Sequence, residues 1–153
     1  MTYPMSRSDV PDLPPGAAAL GWGGVLPFAG LAAGAWSPEW QGFAVQGFVA
    51  YAALILSFLG GVRWGRAMAA GAGTFQFGLA VLPSLWGWLA WLALPPMAAL
   101  AVLGAGFALV GWWDGRFDAL AAPSAFRRLR RGLSAVVVGC HGIAMAGLGV
   151  AGA

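Results

Sequence analysis

The segment WQGFAVQGFVAYAALILSFLGGVRWGRA, Trp40 to Ala67, contains one long uncharged run that ends at two arginines. The run from Trp40 to Val62 is longer than the roughly 20 apolar residues that a helix needs to cross the hydrocarbon core of a bilayer. Arg63 and Arg66 follow it, with Trp64 between them. Basic and aromatic residues directly after an apolar run are typical of a transmembrane helix that ends at a membrane surface.

The composition of the whole chain of 153 residues supports the same interpretation. Hydrophobic residues make up 60% of it and charged residues only 8%, against about 25% charged residues in ordinary soluble domains. Residues 1–15 are polar and proline-rich, unlike a cleavable signal peptide, which has basic residues and a short apolar core. We therefore expect an all-α integral membrane protein that keeps its first apolar segment in the membrane.

Turn signals divide the apolar sequence into five predicted spans. Pro14 and Pro15 precede the first span, Ser37–Gln41 forms a short turn, and Gly65–Thr74 is interpreted as a glycine-broken loop. The pair Pro95–Pro96 divides an uncharged run that is too long for one crossing. The spans are predicted at about residues 16–35, 42–62, 75–94, 97–113 and 132–152 of a single domain, which follows a polar tail of residues 1–15.

The distribution of arginine predicts the orientation of these spans. With five spans, the N-terminus and the loops after the second and fourth spans lie on one side, which then carries all eight basic residues. The other side carries Glu39 and no basic residue. Because arginine and lysine concentrate in short cytoplasmic loops, we expect the N-terminus in the cytoplasm and the C-terminus in the periplasm.

The second predicted span carries small and bulky residues on opposite faces of a helical wheel. One face carries Gln46, Ala50, Ala53, Ser57, Gly60 and Gly61. The opposite face carries Phe48, Tyr51, Ile55, Leu59 and Val62. Small residues mark helix–helix contacts in membranes, so we expect the first face to pack against helices and the second to contact lipid. Further predicted packing positions are Gly65, and Pro83 with Ser84 in the third span.

Basic residues near the predicted inner surface are candidates for binding. They are Arg63 and Arg66 after the second span, with Trp64 between them as a further candidate, and Arg127, Arg128, Arg130 and Arg131 before the fifth. One interpretation is that they only anchor the spans at the surface. The other is that they bind anionic lipid headgroups or the carboxylate of a membrane-protein partner. We expect no nucleic-acid partner, because the net charge is only +3 and the membrane surface competes for the same arginines.

His141, the only histidine, lies within the fifth predicted span beside the only cysteine, Cys140. An ionisable residue inside a span is a candidate functional group. It is either a neutral imidazole hydrogen-bonded across a helix interface or a single haem or chlorophyll ligand. A zinc site needs three or four ligands, and the sequence has no phosphate loop, HExxH or CxxC motif. We therefore expect no metal, no cofactor and no catalytic residue.

Three segments resemble a known family of small membrane proteins. They are LPFAGLA (Leu26–Ala32), AALILSFLGGVRWG (Ala52–Gly65) and VLPSLWGWLAW (Val81–Trp91). Their order and spacing resemble the domain of unknown function 3429 family, whose mitochondrial relatives form the transmembrane protein 69 group. The resemblance implies a multi-pass protein of the bacterial inner membrane and supplies no active site. The mitochondrial relatives imply a role near energy-converting complexes, an analogy at the level of the family.

Two functions of different classes fit these features. The first is a non-catalytic accessory or assembly subunit that packs against a larger respiratory or photosynthetic membrane complex. The abundance of small residues and tryptophan on helix faces, together with the lack of catalytic motifs, favours it. The alternative is a small lipid- or apolar-ligand-binding or transport protein. Its ligand would lie between the second and third spans, near Arg63, Trp64, Ser84 and Trp86.

The predicted orientation can be tested with reporter fusions at both termini. Alkaline phosphatase folds only where its disulfides form, in the periplasm, so we expect activity from a fusion after Ala153 and none from a fusion before Met1. A fluorescent protein that folds in the cytoplasm serves as the reciprocal control. Activity of the same reporter at both termini would contradict an odd number of spans.

Overall fold

The computed structural model describes residues 16–116 and 124–151, and the predicted tail of residues 1–15 lies outside them. Six helices form this part of the chain: α1 (Ala17–Gly23), α2 (Leu26–Gly34), α3 (Gln41–Ala69), α4 (Thr74–Ala93), α5 (Pro96–Arg116) and α6 (Ser124–Ala151). Five helical stretches are long and apolar enough to cross a membrane, because α1 and α2 together form the first. The predicted all-α class with five spans is confirmed, and the orientation of the termini stays a prediction.

The first span is broken, whereas the sequence predicted a continuous helix. α1 ends at Gly23 and α2 begins at Leu26, with Pro27 in the first turn of α2. Proline has no N–H group, so the carbonyl of Gly23, four residues before Pro27, loses its helical partner. The hydroxyl of Tyr51 donates a hydrogen bond to the carbonyl of Gly24 at 3.0 Å. This contact satisfies a backbone group at a depth where lipid offers no replacement.

α3 extends well past the predicted end of the second span. The sequence predicted a helix to Val62 and a loop over Gly65–Thr74, but the helix continues to Ala69. The chain then reverses at Gly71, whose φ of 59° lies in the left-handed region that favours glycine. Arg63, Trp64 and Arg66 therefore project from a regular helix and not from a loop.

α6 also begins earlier than predicted, at Ser124. The basic segment Phe126–Arg131 forms its first turns, consistent with the high helix propensity of arginine and leucine. The reversal predicted at Pro95–Pro96 is present, since α4 ends at Ala93 and α5 begins at Pro96. Proline fits there because the first N–H group of a helix has no partner within it.

The core surrounds α3, which packs against α2, α4, α5 and α6. Its centre is a group of three phenylalanines, Phe28, Phe48 and Phe107, each no more than 2% exposed. The ring of Phe28 lies edge-on to the rings of Phe48 and Phe107, with centroids 5.2 and 5.7 Å apart. Aromatic rings favour this geometry and bury a large apolar area.

The central position of α3 makes the predicted assignment of its faces wrong in part, although Gly60 and Ala53 are buried as predicted. Phe48 and Leu59, expected to contact lipid, are buried in the core. Gln46, Gly61 and Gly65, expected to pack against helices, are exposed. A helix that packs on two sides directs bulky residues toward a wide core and small residues toward a close neighbour. Residue size on a wheel therefore does not indicate which face contacts lipid.

Small residues do define the contact between α3 and α4. A Cβ atom added at Gly60 would overlap the carbonyl oxygen of Ala80 and lie 3.4 Å from the hydroxyl of Ser84. In the same way, a Cβ atom at Gly87 would lie 3.0 Å from the carbonyl oxygen of Ala53. Close backbone approach of this kind is how transmembrane helices associate without a hydrophobic driving force.

The adjacent glycines of α3 provide a matched test of this packing. Gly60→Ala should lower the free energy of unfolding by about 1–3 kcal/mol, because the added methyl group meets the backbone of α4. Gly61→Ala should be neutral or slightly stabilising, since no atom lies within 4 Å of its added Cβ and alanine favours helix. Thermal and denaturant unfolding in detergent measures both. Equal effects of the two substitutions would contradict this assignment of the faces.

Candidate functional site at the arginine end of the bundle

The described arginines gather at one end of the bundle, which we call the arginine end. Asp114 of α5 contacts both Arg63 of α3 and Arg130 of α6 there. Within residues 16–116 and 124–151 the acidic residues are Asp114 and Glu39, and Glu39 lies before α3, away from this end. Charged groups thus meet where α3 and α5 end and α6 begins.

Asp114 is the centre of this ion cluster. Arg130 donates to its Oδ2 atom from Nη2 at 2.6 Å and from Nε at 3.2 Å. The Nη1 atom of Arg63 lies 3.6 Å from Oδ1. The three side chains are only 10 to 15% exposed. One carboxylate between two guanidinium groups leaves the cluster with a net positive charge.

Arg63 connects the cluster to the remaining helices. Its Nη2 atom donates to Oε1 of Gln76 on α4 at 3.0 Å, and its guanidinium lies 5.7 Å from the ring centroid of Trp113. Its Nε atom is buried and has no hydrogen-bond partner among the described residues. The cluster therefore connects α3, α4, α5 and α6. A buried carboxylate between two arginines strongly constrains the packing of the helices that supply them.

Of the other predicted binding residues, Arg66 lies beside α6 and Trp64 turns toward α4. The guanidinium of Arg66 stacks 5.4 Å from the ring centroid of Phe126, and Trp64 packs edge-on against Phe77 at 4.8 Å. Arg127 is half-buried, whereas Arg128 and Arg131 are exposed on the outer side of α6. The structure thus separates the predicted basic patch into an internal cluster and an external pair. Of the predicted packing positions not yet described, Ser57 and Pro83 are half-buried.

Sequence reasoning missed the two polar partners of Arg63. Asp114 lies one residue after the predicted end of the fourth span, and Gln76 is the second residue of the predicted third span. One signal for Asp114 was available: it is the acidic residue that directly adjoins a span on the predicted arginine-rich side. Ionisable residues close to the membrane generally pair with one another, so a contact with Arg63 or Arg130 could have been expected.

Two apolar crevices adjoin the cluster on either side of α3. The smaller, between α3, α4 and α5, has a volume of about 210 Å³ and is lined by Arg63, Pro83, Trp86 and Asp114 among others. It corresponds to the predicted ligand position, although neither Trp64 nor Ser84 lines it. Its volume lies below the roughly 300–1,000 Å³ of ordinary ligand pockets.

The larger crevice lies among α1, α2, α3, α5 and α6, and we call it the α1–α6 crevice. It has a volume of about 430 Å³, within the range of ligand pockets. Arg130 and Ser134 line it together with apolar residues that include Leu20, Ile55 and Leu133. No pattern in the sequence indicates this crevice, because its walls come from distant segments of the chain.

The ring of His141 packs against the three phenylalanines of the core, and the residue is 2% exposed. Its ring centroid is 4.7 Å from that of Phe48 and 5.5 Å from that of Phe107. Its Nδ1 atom lies 2.8 Å from the carbonyl oxygen of Val137 in the same helix, so this hydrogen bond is not across an interface as expected. Nε2 has no partner in the described part of the chain. Among those residues, no group of three potential metal ligands occurs.

Comparison with known proteins gives the family. A profile of the family described as Protein of unknown function (DUF3429) matches residues 13–146. The chain belongs to this family. Transmembrane protein 69 of Xenopus tropicalis is 35% identical over 142 residues, which cover 83% of this chain and 52% of that protein. The chain thus spans about half the length of the curated relative it matches, and no solved structure matches it.

These matches confirm the resemblance to the DUF3429 family found in the sequence. Together with the five apolar helical stretches they support a multi-pass membrane protein. Neither the description of the family nor the name of this relative specifies a reaction, a ligand or a partner. The function therefore has to be argued from the geometry of this chain.

Removal of the Asp114 carboxylate tests whether the ion cluster holds the helices together. Asp114→Leu should lower the free energy of unfolding by about 3–5 kcal/mol, because two arginines then lie close together without a counter-charge. The double variant Asp114→Leu with Arg130→Met should lower the free energy of unfolding by less than Asp114→Leu alone. Denaturant unfolding in detergent measures each variant. Strictly additive losses would show that the two side chains are not coupled.

Proposed function

We propose that this protein is a non-catalytic accessory or assembly subunit that packs against a partner membrane protein. The observation that carries the proposal is an exposed stripe of small residues on α6. Its members are Ala135, Gly139, Gly142, Ala146 and Gly149. Their spacing of four, three, four and three residues places them on one face of the helix. We call this face the α6 stripe.

The α6 stripe consists of small residues only, whereas α3 also presents bulky side chains outward. Phe43, Leu54 and Phe58 of α3 are each more than 60% exposed, beside the exposed Gly61 and Gly65. A Cβ atom added at Gly139 or Gly142 would meet no atom within 4 Å, so packing inside this chain does not require glycine there. Small residues on transmembrane helices let another helix approach closely. The stripe therefore supports contact with a helix of a different molecule.

The surroundings of the stripe are consistent with such a partner. A groove of about 520 Å³ between α5 and α6, lined by Trp112 and Ala135 among others, adjoins it near the arginine end. Arg128 and Arg131 continue the same face of α6 and are exposed. A partner helix with acidic residues at its end would match both the small residues and the charge.

The proposed setting follows from the charge rule and the family relationship. Arginine concentrates on the cytoplasmic side of membrane proteins, so we place the arginine end in the cytoplasm and the protein in the bacterial inner membrane. The resemblance to mitochondrial relatives supports a respiratory or photosynthetic complex as the partner. Binding of lipid, the alternative function, is supported by a separate feature, the α1–α6 crevice.

Substitution of exposed glycines tests the proposed interface against a matched control. Gly142→Leu should lower recovery of the partner by about 5- to 100-fold, since overpacking of a helix contact costs roughly 1–3 kcal/mol. Gly61→Leu, at an equally open glycine on α3, should leave recovery unchanged. Both variants should melt like the unmodified protein. Crosslinking in native membranes, extraction in mild detergent and native gels measure recovery.

Crosslinks from the α6 stripe and from α3 show which face of the protein contacts the partner. Cysteine introduced at Gly139 in a Cys140→Ala background should crosslink to a different membrane protein, and cysteine at Gly61 should not. A stripe that crosslinks only to a second copy of this chain would contradict an accessory role in a larger complex. Migration as a free small protein, with no crosslinked species, would also contradict it.

A further inference from the structure

The α1–α6 crevice is large enough to hold a single alkyl chain. Its volume is about 430 Å³, and its apolar walls come from four parts of the chain: Leu20 and Phe28 of the first span, Ile55 of α3, Phe107 of α5, and Leu133 and Val137 of α6. Phe28 belongs to the phenylalanine core and closes the inner part. An apolar cavity of this size is in the range that holds a small ligand.

The length of the crevice matches one leaflet of a membrane. Along α6 its lining runs from Phe126 to Val137, a distance of about 16 Å at 1.5 Å per residue. Half of a hydrocarbon core about 30 Å thick is about 15 Å. A crevice of this length, with its lining beginning near the arginine end, can accommodate one acyl chain of a phospholipid from the adjoining leaflet.

The mouth of the crevice is positively charged. Arg130 lines it, and its bonds to Asp114 leave the cluster with a net positive charge because Arg63 contacts the same carboxylate. Arg66 stacks on Phe126, another lining residue. No acidic residue is among the described residues that line the crevice. Basic pockets at the ends of transmembrane helices bind anionic lipid headgroups.

We propose that the α1–α6 crevice binds one acyl chain of an anionic phospholipid from the leaflet at the arginine end. Its phosphate group lies at the mouth, against Arg66 and Arg130, and its chain follows α6 toward Phe28. Charge complementarity and the length of one leaflet select this occupant over a neutral apolar ligand. The site lies away from the α6 stripe, so it does not depend on the proposed partner contact.

Adjacent residues of α3 provide a test of the acyl-chain site. Full-length protein in detergent is incubated with phosphatidylglycerol, and the retained lipid is counted by native mass spectrometry. Ile55→Trp fills the crevice and should reduce retention about ten-fold, whereas Leu54→Trp, on the exposed face of α3, should not. Val62→Phe, at another lining position, replaces Ile55→Trp if that variant does not melt like the unmodified protein.

The charge at the mouth is tested with a neutral lipid and a second pair of variants. The unmodified protein should retain phosphatidylglycerol over phosphatidylcholine by about five-fold or more, and Arg66→Gln should reduce this preference while Arg128→Gln should not. The proposal would be overturned if the crevice-filling variants retained as much phosphatidylglycerol as the unmodified protein. It would also be overturned if the unmodified protein retained the two lipids equally. Increased retention after deletion of residues 1–15 would also overturn it, because the chain itself would then occupy the crevice.

Discussion

The arrangement of the bundle at its arginine end depends on one carboxylate, that of Asp114. It accepts two hydrogen bonds from Arg130 of α6 and lies 3.6 Å from Arg63 of α3. Removal of these charges from water is costly unless they pair closely, so the helices that supply them are held in one relative position. Gln76 extends the constraint to α4. Residues of this cluster line both apolar crevices, and the helices that it positions supply part of their walls.

Away from the cluster, the fold uses two kinds of apolar contact around α3. Toward α4 the contact is close, because Gly60 and Gly87 let the two backbones approach. Toward α2, α5 and α6 the space is wider and is filled by phenylalanine rings and leucines. A membrane offers little hydrophobic driving force between helices, so close van der Waals packing has to supply the stability. Small residues give close packing toward α4, and large residues give it toward α2, α5 and α6.

The proposed roles use surfaces that this packing leaves open. The α6 stripe faces outward with glycine at positions where the chain itself has space for larger residues. The α1–α6 crevice is lined by Gly24 and Val25, where the first span is broken, and by α1, which buries none of its residues. The two features lie on different sides of α6, so one helix can contact a partner and form the wall of a lipid site. Neither role requires a reactive group, and both use the arginines only as sources of charge.

The sequence by itself determined the membrane class, the five spans and the position of the reversal at Pro95–Pro96. These are local properties: the length of an apolar run and the missing N–H group of proline act within one segment. Arg63, Arg66 and Arg130 were also identified as candidates from their place beside the spans. The orientation and the choice among functions stayed predictions, because charge distribution and residue type do not identify a partner.

Only the tertiary structure decided which face of α3 contacts lipid and what Arg63 binds. Phe48 is buried and Gly61 exposed because α3 has neighbours on two sides, a fact that no wheel of a single helix contains. Asp114 meets Arg63 and Arg130 because α5 ends where α6 begins beside α3. The α1–α6 crevice is formed by residues from distant segments of the chain. Each of these features depends on distances between helices, and those distances are set by packing and not by the pattern within any one segment.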